Sequence, residues 1–154
     1  MLFRSIEGVG FGSINVRLGG TGRHDLQEWP YDVEQPIAPA IHDWGTAASD
    51  LAGLTDDELL ARHLRARDDV QQETVGRPGA EDPEAIVLRQ QRGFRRARTA
   101  DTVEAALVGA SDGDLSLGQL LGALRSLLER DPDELATTYV PVVRELLAEG
   151  FLEA

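Results

Sequence analysis

The first pattern along the chain is an alternation of apolar and polar residues at 13–18. Ile14, Val16 and Leu18 are separated by single polar residues, the period of two typical of a strand with one buried face. Glycines follow at 19, 20 and 22, and they predict a turn. A sheet needs neighbouring strands, and little chain precedes this one, so we expect Met1 to be a cut edge of a larger sheet.

A second strand is predicted at 86–91, where an apolar run leads to Gly93. The continuous apolar character at its centre is typical of a strand buried on both sides. We expect it to pair with the strand at 13–18. Residues 23–84 would then be an insertion between the two strands.

The insertion contains two predicted helices. The first covers about 39–48. The second covers 56–66 and begins at a capping box, in which Thr55 and Glu58 satisfy each other's backbone amides. Trp29 and Trp44 flank a proline-rich stretch in the same region, and we expect both to be packing anchors.

The character of the chain changes at Thr99, where helical patterns take over. A helix is predicted at 101–110 and a turn at 112–114. A second capping box, Ser116 with Gln119, opens a leucine-rich helix. The last helix starts at Asp131-Pro132, is interrupted or kinked near Pro141, ends at Gly150 and is followed by a short strand at 151–153. Three helices and a strand predict a winged-helix-like module.

The predicted fold class is therefore α+β with two parts. Residues 1–98 hold an antiparallel strand pair with a helical insertion, and residues 99–154 form the winged-helix-like helical domain.

Composition narrows the chemistry. The chain has 154 residues with no cysteine, which removes disulfides, thiolate nucleophiles and cysteine metal sites. Every one of its 15 basic residues is an arginine, so lysine chemistry is also excluded. The 27 acidic residues give a net charge of −12, which disfavours nucleic acid as the main partner. No apolar run suits a membrane span or a signal peptide, so we expect a cytoplasmic protein without membrane contact.

Two motifs that resemble ligand sites are better explained otherwise. The Gly-x-Gly-x-Gly string at 8–12 is followed by a strand pattern, whereas a nucleotide-binding loop needs a helix there. His24, His42 and His63 lack metal-ligand spacing. We assign no catalytic, cofactor-binding or metal-binding residue.

The strongest candidate contact is an arginine cluster in which Arg92, Arg95 and Arg96 lie between Arg89 and Arg98. Such a cluster can contact phosphates, and RNA is a candidate partner on that ground. The alternative, which the net charge favours, is a solvated strand end whose arginines pair with the nearby acids Glu81, Asp82 and Glu84.

The C-terminal part is acidic. Residues 101–154 contain eleven acidic residues and three arginines, so duplex DNA would repel a recognition helix placed there. We predict a protein partner for this part and no DNA binding.

Several segments together resemble the C-terminal part of an actinobacterial class I S-adenosylmethionine-dependent methyltransferase. They are residues 7–12 leading into a strand, 28–36, 72–79, 86–91, and the tail from 112–116 to 149–152. In that family an antiparallel strand pair ends a Rossmann-like sheet, and a small helical winged domain follows. The resemblance implies that 13–18 and 86–91 are this pair and that S-adenosylmethionine is the cofactor of the parent enzyme.

The family's cofactor loop, its acidic residue on the ribose and its Asn-Pro-Pro-Tyr-type catalytic loop are not found in this sequence. We expect them upstream of Met1, in a missing N-terminal catalytic portion that would be this chain's partner. The chain alone is then an inactive fragment that binds no cofactor. The alternative is a free-standing, non-enzymatic module that binds a protein through its acidic winged-helix-like domain.

Overall fold

The computed structural model describes residues 14, 16, 28–78, 83–128 and 132–154, and these form an α+β fold, as predicted. Five helices and six strands lie within these ranges. In chain order they are α1 (Ala38–Leu51), α2 (Asp56–Leu60), β1 (His63–Ala66), β2 (Val70–Val75), β3 (Ala85–Gln90), β4 (Ala97–Ala100), α3 (Thr102–Ala110), β5 (Asp112–Ser116), α4 (Leu117–Leu128), α5 (Pro132–Glu149) and β6 (Leu152–Glu153).

One antiparallel sheet has the order β5–β1–β6, with β1 in its centre. The predicted helix at 56–66 is therefore wrong in its second half, because α2 ends at Leu60 and His63–Ala66 is a strand. Leu64 is fully buried in this strand, and pairing on both edges outweighs the helical spacing of the leucines. The predicted turn at 112–114 also lies in a strand, β5.

The other antiparallel sheet has the order β2–β3–β4. The predicted strand at 86–91 is confirmed as β3, which buries Ile86, Leu88 and Gln90 on one face and half-buries the other. Its predicted pairing with 13–18 is wrong, because β2 and β4 occupy both of its edges. Ile14 and Val16 are exposed and outside any strand, and the rest of 13–18, like the glycine string at 8–12, lies outside the described residues.

The predicted helix starts are close to the observed ones. The Thr55–Glu58 capping box is present, with the Thr55 amide 2.9 Å from the Glu58 carboxylate. Ser116 and Gln119 form the second box, in which the Ser116 amide donates to Gln119 Oε1 over 2.9 Å. α5 continues through Pro141 without interruption, contrary to a break there, and Gly150 ends it at φ +78°.

A single hydrophobic cluster joins the two sheets and the helices. Its fully buried members come from both predicted parts, for example Leu59 and Leu88 from the first and Leu107 and Phe151 from the second. β1 also crosses the predicted division, since it supplies the centre strand between β5 and β6. The division at 98/99 and the winged-helix-like character of the second part stay predictions.

Candidate functional site

The connection between β3 and β4, residues 91–96, carries the three arginines predicted as contacts, and we call it the arginine turn. Its backbone takes the left-handed conformation twice, at Gly93 with φ +62° and at Arg95 with φ +50°. Glycine adopts this conformation freely, whereas arginine loses about 1 kcal/mol there. The surrounding structure must therefore hold the turn in place.

Asp69, which lies between β1 and β2, fixes the start of the turn through hydrogen bonds. Its nearly buried carboxylate accepts from the Arg92 amide over 3.0 Å and from Arg67 Nε over 2.9 Å. The Asp69 carbonyl also accepts from the Gln91 amide over 2.9 Å. One residue thus fixes the first two positions of the turn.

The side chain of Gln90 also fixes the turn, through hydrogen bonds at its amide group. Its side-chain oxygen accepts from the Arg96 amide over 3.3 Å, and its side-chain nitrogen donates to the carbonyl oxygens of Glu149 and Gly150, both over 2.9 Å. The buried amide therefore joins the turn to the C-terminal end of α5. We did not predict roles for Asp69 and Gln90, although a polar residue at an inward position of β3 was an available signal for Gln90.

The segment 28–37, which we call the strap, covers the outer side of the turn. The Glu34 amide donates to the Gly93 carbonyl over 2.8 Å, and the Gly93 amide donates back to the Glu34 carboxylate over 2.9 Å. Trp29 Nε1 donates to the Phe94 carbonyl over 3.1 Å. The strap and the turn are therefore joined through both backbone and side chains.

The two tryptophans pack against the turn, as predicted. The ring centroid of Trp29 is 5.1 Å from that of Phe94, and Trp44 approaches the same ring at 6.3 Å. The Arg96 guanidinium lies over the Trp29 ring at 4.4 Å and is close to Phe94 at 5.3 Å. Arg96 is buried, so this predicted contact residue belongs to the packing of the turn.

Arg92 and Arg95 have exposed side chains and line two different concavities. Arg92 lines a cleft of about 330 Å³ between α1, the turn and the end of α5, together with Trp44, Phe94 and Leu147. Arg95 lines a polar groove of about 480 Å³ with Tyr31 and Arg89. Of the three predicted contact residues, Arg96 is therefore part of the packing, whereas Arg92 and Arg95 have exposed, charged side chains.

Charges of both signs line the cleft. Arg62 and Arg67 line it in addition to Arg92, and Asp43 and Asp50 line it from α1. α1 has no fully buried residue. The cleft therefore has a mixed lining, in which charged side chains of both signs lie among apolar ones such as Trp44, Phe94 and Leu147.

Arg98 forms ion pairs with three glutamates near the turn. It donates to Glu104 at 2.5 Å, Glu145 at 2.9 Å and Glu149 at 3.3 Å. Burial acts against the charged form of Arg98, but hydrogen bonds to Glu145 and Glu104 raise its pKa above the ordinary value. Burial also raises the pKa of Glu104, and it outweighs the opposing effect of the Arg98 hydrogen bond.

The prediction that arginines of the cluster pair with acidic residues is confirmed for Arg89 and Arg98, but the partners differ. Arg89 bonds Glu73 across the sheet at 2.8 Å, and this hydrogen bond lowers the pKa of Glu73. Glu84 instead pairs with Arg77 at 3.3 Å, while Glu81 and Asp82 lie outside the described residues. For Arg89 the strand register decides the partner, because Arg89 is directly opposite Gln71 on β2 and Glu73 is its diagonal neighbour on the same face of the sheet.

His42 and His63 are exposed, and His24 lies outside the described residues. No group of three or more histidine, aspartate or glutamate side chains that could hold a metal ion occurs among the described residues. In the same part of the chain, no helix has both the length and the apolar character needed to cross a bilayer.

Comparison with known proteins gives one family. No curated protein matches the sequence. The model of a family described as "Domain of unknown function (DUF7782)" matches residues 43–154, nearly three quarters of the chain. The matched region includes the arginine turn, both sheets and most of the cleft lining, whereas the strap precedes it. The chain belongs to the DUF7782 family.

Proposed function

We propose that this chain is a non-catalytic binding unit, the C-terminal part of a class I S-adenosylmethionine-dependent methyltransferase, and that its arginine turn contacts the substrate or the catalytic portion. The observation that carries the binding role is the rigid presentation of Arg92 and Arg95. Each is exposed and lines a concavity, while the turn between them is fixed by Asp69, Gln90 and Glu34.

Rigid presentation matters for affinity. Long arginine side chains lose conformational entropy when they bind. Because the backbone of the turn is already fixed, binding adds no backbone entropy cost to that of the side chains. Guanidinium groups suit carboxylate or phosphate partners, because they donate two parallel hydrogen bonds. The net charge of −12 confines attraction for an anionic group to the immediate neighbourhood of these arginines.

The methyltransferase part of the proposal is supported by the resemblance of residues 28–36, 72–79, 86–91 and 112–152 to that family. S-adenosylmethionine would be held by the catalytic portion, and this chain would bind none alone. The proposal includes a cytoplasmic location, which suits a sequence without cysteine.

The first test is the genomic sequence upstream of the start codon. We expect an open reading frame that encodes a glycine-rich cofactor loop in phase with Met1. A ribosome-binding site immediately before the codon, with no such frame, would contradict the methyltransferase proposal. A one-to-one micromolar complex of this chain with S-adenosylmethionine in calorimetry would contradict it as well.

The second test addresses the arginine turn in the product of that longer frame. We expect the double variant Arg92→Ala/Arg95→Ala to lower kcat/KM for the methyl acceptor by roughly tenfold or more, the effect of losing a charge-assisted hydrogen bond. The KM for S-adenosylmethionine should stay unchanged. Arg77→Ala is the matched control, because Arg77 is an exposed arginine on the hairpin, away from both concavities.

The second candidate function is a free-standing module that binds a protein. The acidic C-terminal half favours it, since Asp112 and Asp114 are exposed on β5 and Glu145 on α5, and such a surface suits a basic partner. If the chain is part of a methyltransferase, RNA is a candidate substrate for Arg95 to contact. The free-standing module would bind a protein and not RNA. The upstream reading frame distinguishes the two functions.

A further inference from the structure

The outer edges of the two sheets differ in how well they are protected against pairing with another strand. Among the described strands, β6 has only two residues and β4 has four, with Arg98 held in ion pairs. β5 carries two aspartates and a glycine at φ +92°. Short length, charge and irregular backbone all disfavour edge pairing.

β2 has none of these protections. It is six residues long, pairs with β3 in unbroken register, and leaves every residue from Gln71 to Val75 exposed. Its single charge, on Glu73, is already matched by two hydrogen bonds from Arg89, at 2.8 and 3.2 Å. Within the described part of the chain, no strand pairs with its outer edge.

The peptide groups on that edge can be assigned by alternation. The Gln90 amide donates toward β4, to the Arg96 carbonyl. Alternation along β3 then turns the peptide groups of Arg89 toward β2, where Arg89 is opposite Gln71. Gln72 and Thr74 therefore direct their own backbone N–H and C=O groups outward.

We propose that the outer edge of β2 pairs with β2 of a second copy of this chain, antiparallel and about a two-fold axis at Gln72. Residues opposite each other in an antiparallel pair point to the same face of the sheet. A two-fold axis normal to the sheet must therefore pair even-numbered residues with even-numbered ones and odd with odd, which it does when it is centred on one residue. Centred on Gln72, the register places Val70 opposite Thr74 and Gln71 opposite Glu73 of the second copy.

This register has no unfavourable pair. The two Gln72 residues exchange backbone hydrogen bonds, and each Gln71 amide can donate to a Glu73 carboxylate. An axis at Glu73 would instead place two carboxylates opposite each other, and an axis at Gln71 would shorten the overlap. The result is a continuous six-stranded sheet made of two three-stranded halves, a closed two-fold assembly.

Sedimentation of the full chain from micromolar to millimolar concentration tests the proposal. We expect a monomer–dimer equilibrium that Gln72→Pro weakens at least about tenfold. Proline removes one outward N–H from the edge and none of the bonds to β3. Gln72→Thr, which keeps the N–H and suits a strand, is the matched control and should dimerise like the wild type.

A second variant guards against misfolding of the proline variant. Gln72→Lys places two ammonium groups opposite each other at the axis, and we expect it to abolish dimerisation while circular dichroism stays that of the wild type. The proposal is overturned if the wild type remains a monomer at all concentrations. A dimer that persists in both Gln72→Pro and Gln72→Lys also overturns it. Slow hydrogen exchange of the Gln72 and Thr74 amides in a monomeric protein overturns it as well, because another segment of the same chain would then cover the edge.

Discussion

The hydroxyl of Tyr139 donates a hydrogen bond to the carboxylate of Asp101 over 2.8 Å, which ties α5 to the start of α3. The other Asp101 oxygen accepts from the Glu104 amide over 2.7 Å and caps α3. One carboxylate thus serves as a helix cap and as an anchor between two helices.

We expect Tyr139→Phe to lower the free energy of unfolding by about 1 kcal/mol, the net worth of one hydrogen bond. Asp101→Ala removes the cap as well and should cost about 2 kcal/mol. Urea denaturation monitored by circular dichroism measures both. Equal losses in the two variants would contradict the double role of Asp101.

Asp69→Ala should destabilise the protein by about 2 kcal/mol, because it leaves the Arg92 amide and Arg67 without their acceptor in a partly buried place. The exposed neighbour Asp68 is the matched control. Asp68→Ala should change stability by less than about 0.5 kcal/mol. Thermal denaturation of the two variants side by side gives the comparison.

Two glycine substitutions should have opposite signs. Gly93→Ala forces a Cβ into the left-handed conformation and to 2.9 Å from the Ala40 Cβ, so it should destabilise by about 1 to 2 kcal/mol. Gly109 lies in α3 with open space around it, and Gly109→Ala should stabilise by up to about 1 kcal/mol. Trp29 and Trp44 approach the turn, so fluorescence reports the local effect at Gly93.

The raised pKa of Glu104 predicts a pH dependence. The folded protein holds this proton more tightly than the unfolded chain, so the contribution of Glu104 is fully present below the unfolded pKa and is lost as pH rises through the folded pKa. The stability of Glu104→Gln relative to the wild type should therefore increase from about pH 4 upward. A relative stability that falls over this range, measured by denaturation at several pH values, would contradict the direction of the shift.

Local signals predicted much of the fold. The capping residues Thr55 and Ser116 located helix starts, because a cap is a contact between residues three apart. β1 was missed because the spacing of Leu59, Leu60 and Leu64 suits a helix equally well, and its two partner strands are distant in sequence. β4 was missed because Ala97–Ala100 contains an arginine and a threonine between two alanines, with no apolar alternation.

The same limit applies to the candidate site. The density of arginines identified the turn, but nothing near Arg96 in sequence indicates that Trp29 covers its guanidinium. Asp69 and Gln90 act through backbone groups of other elements, which side-chain patterns do not reveal. Register along β2 and β3 made Glu73 the partner of Arg89, and register depends on the whole hairpin.

The central place of β1 affects how a newly made chain acquires its structure. His63–Ala66 is synthesised before both of its neighbouring strands, one of which begins at Asp112 and the other at Leu152. At the usual pace of translation, about 5 to 20 residues per second, this strand waits several seconds with both sides bare. During that interval chaperones can bind the nascent chain. A ribosome stalled before Phe151 would leave β1 paired with β5 but without β6, so that one edge of β1 stays accessible to proteases.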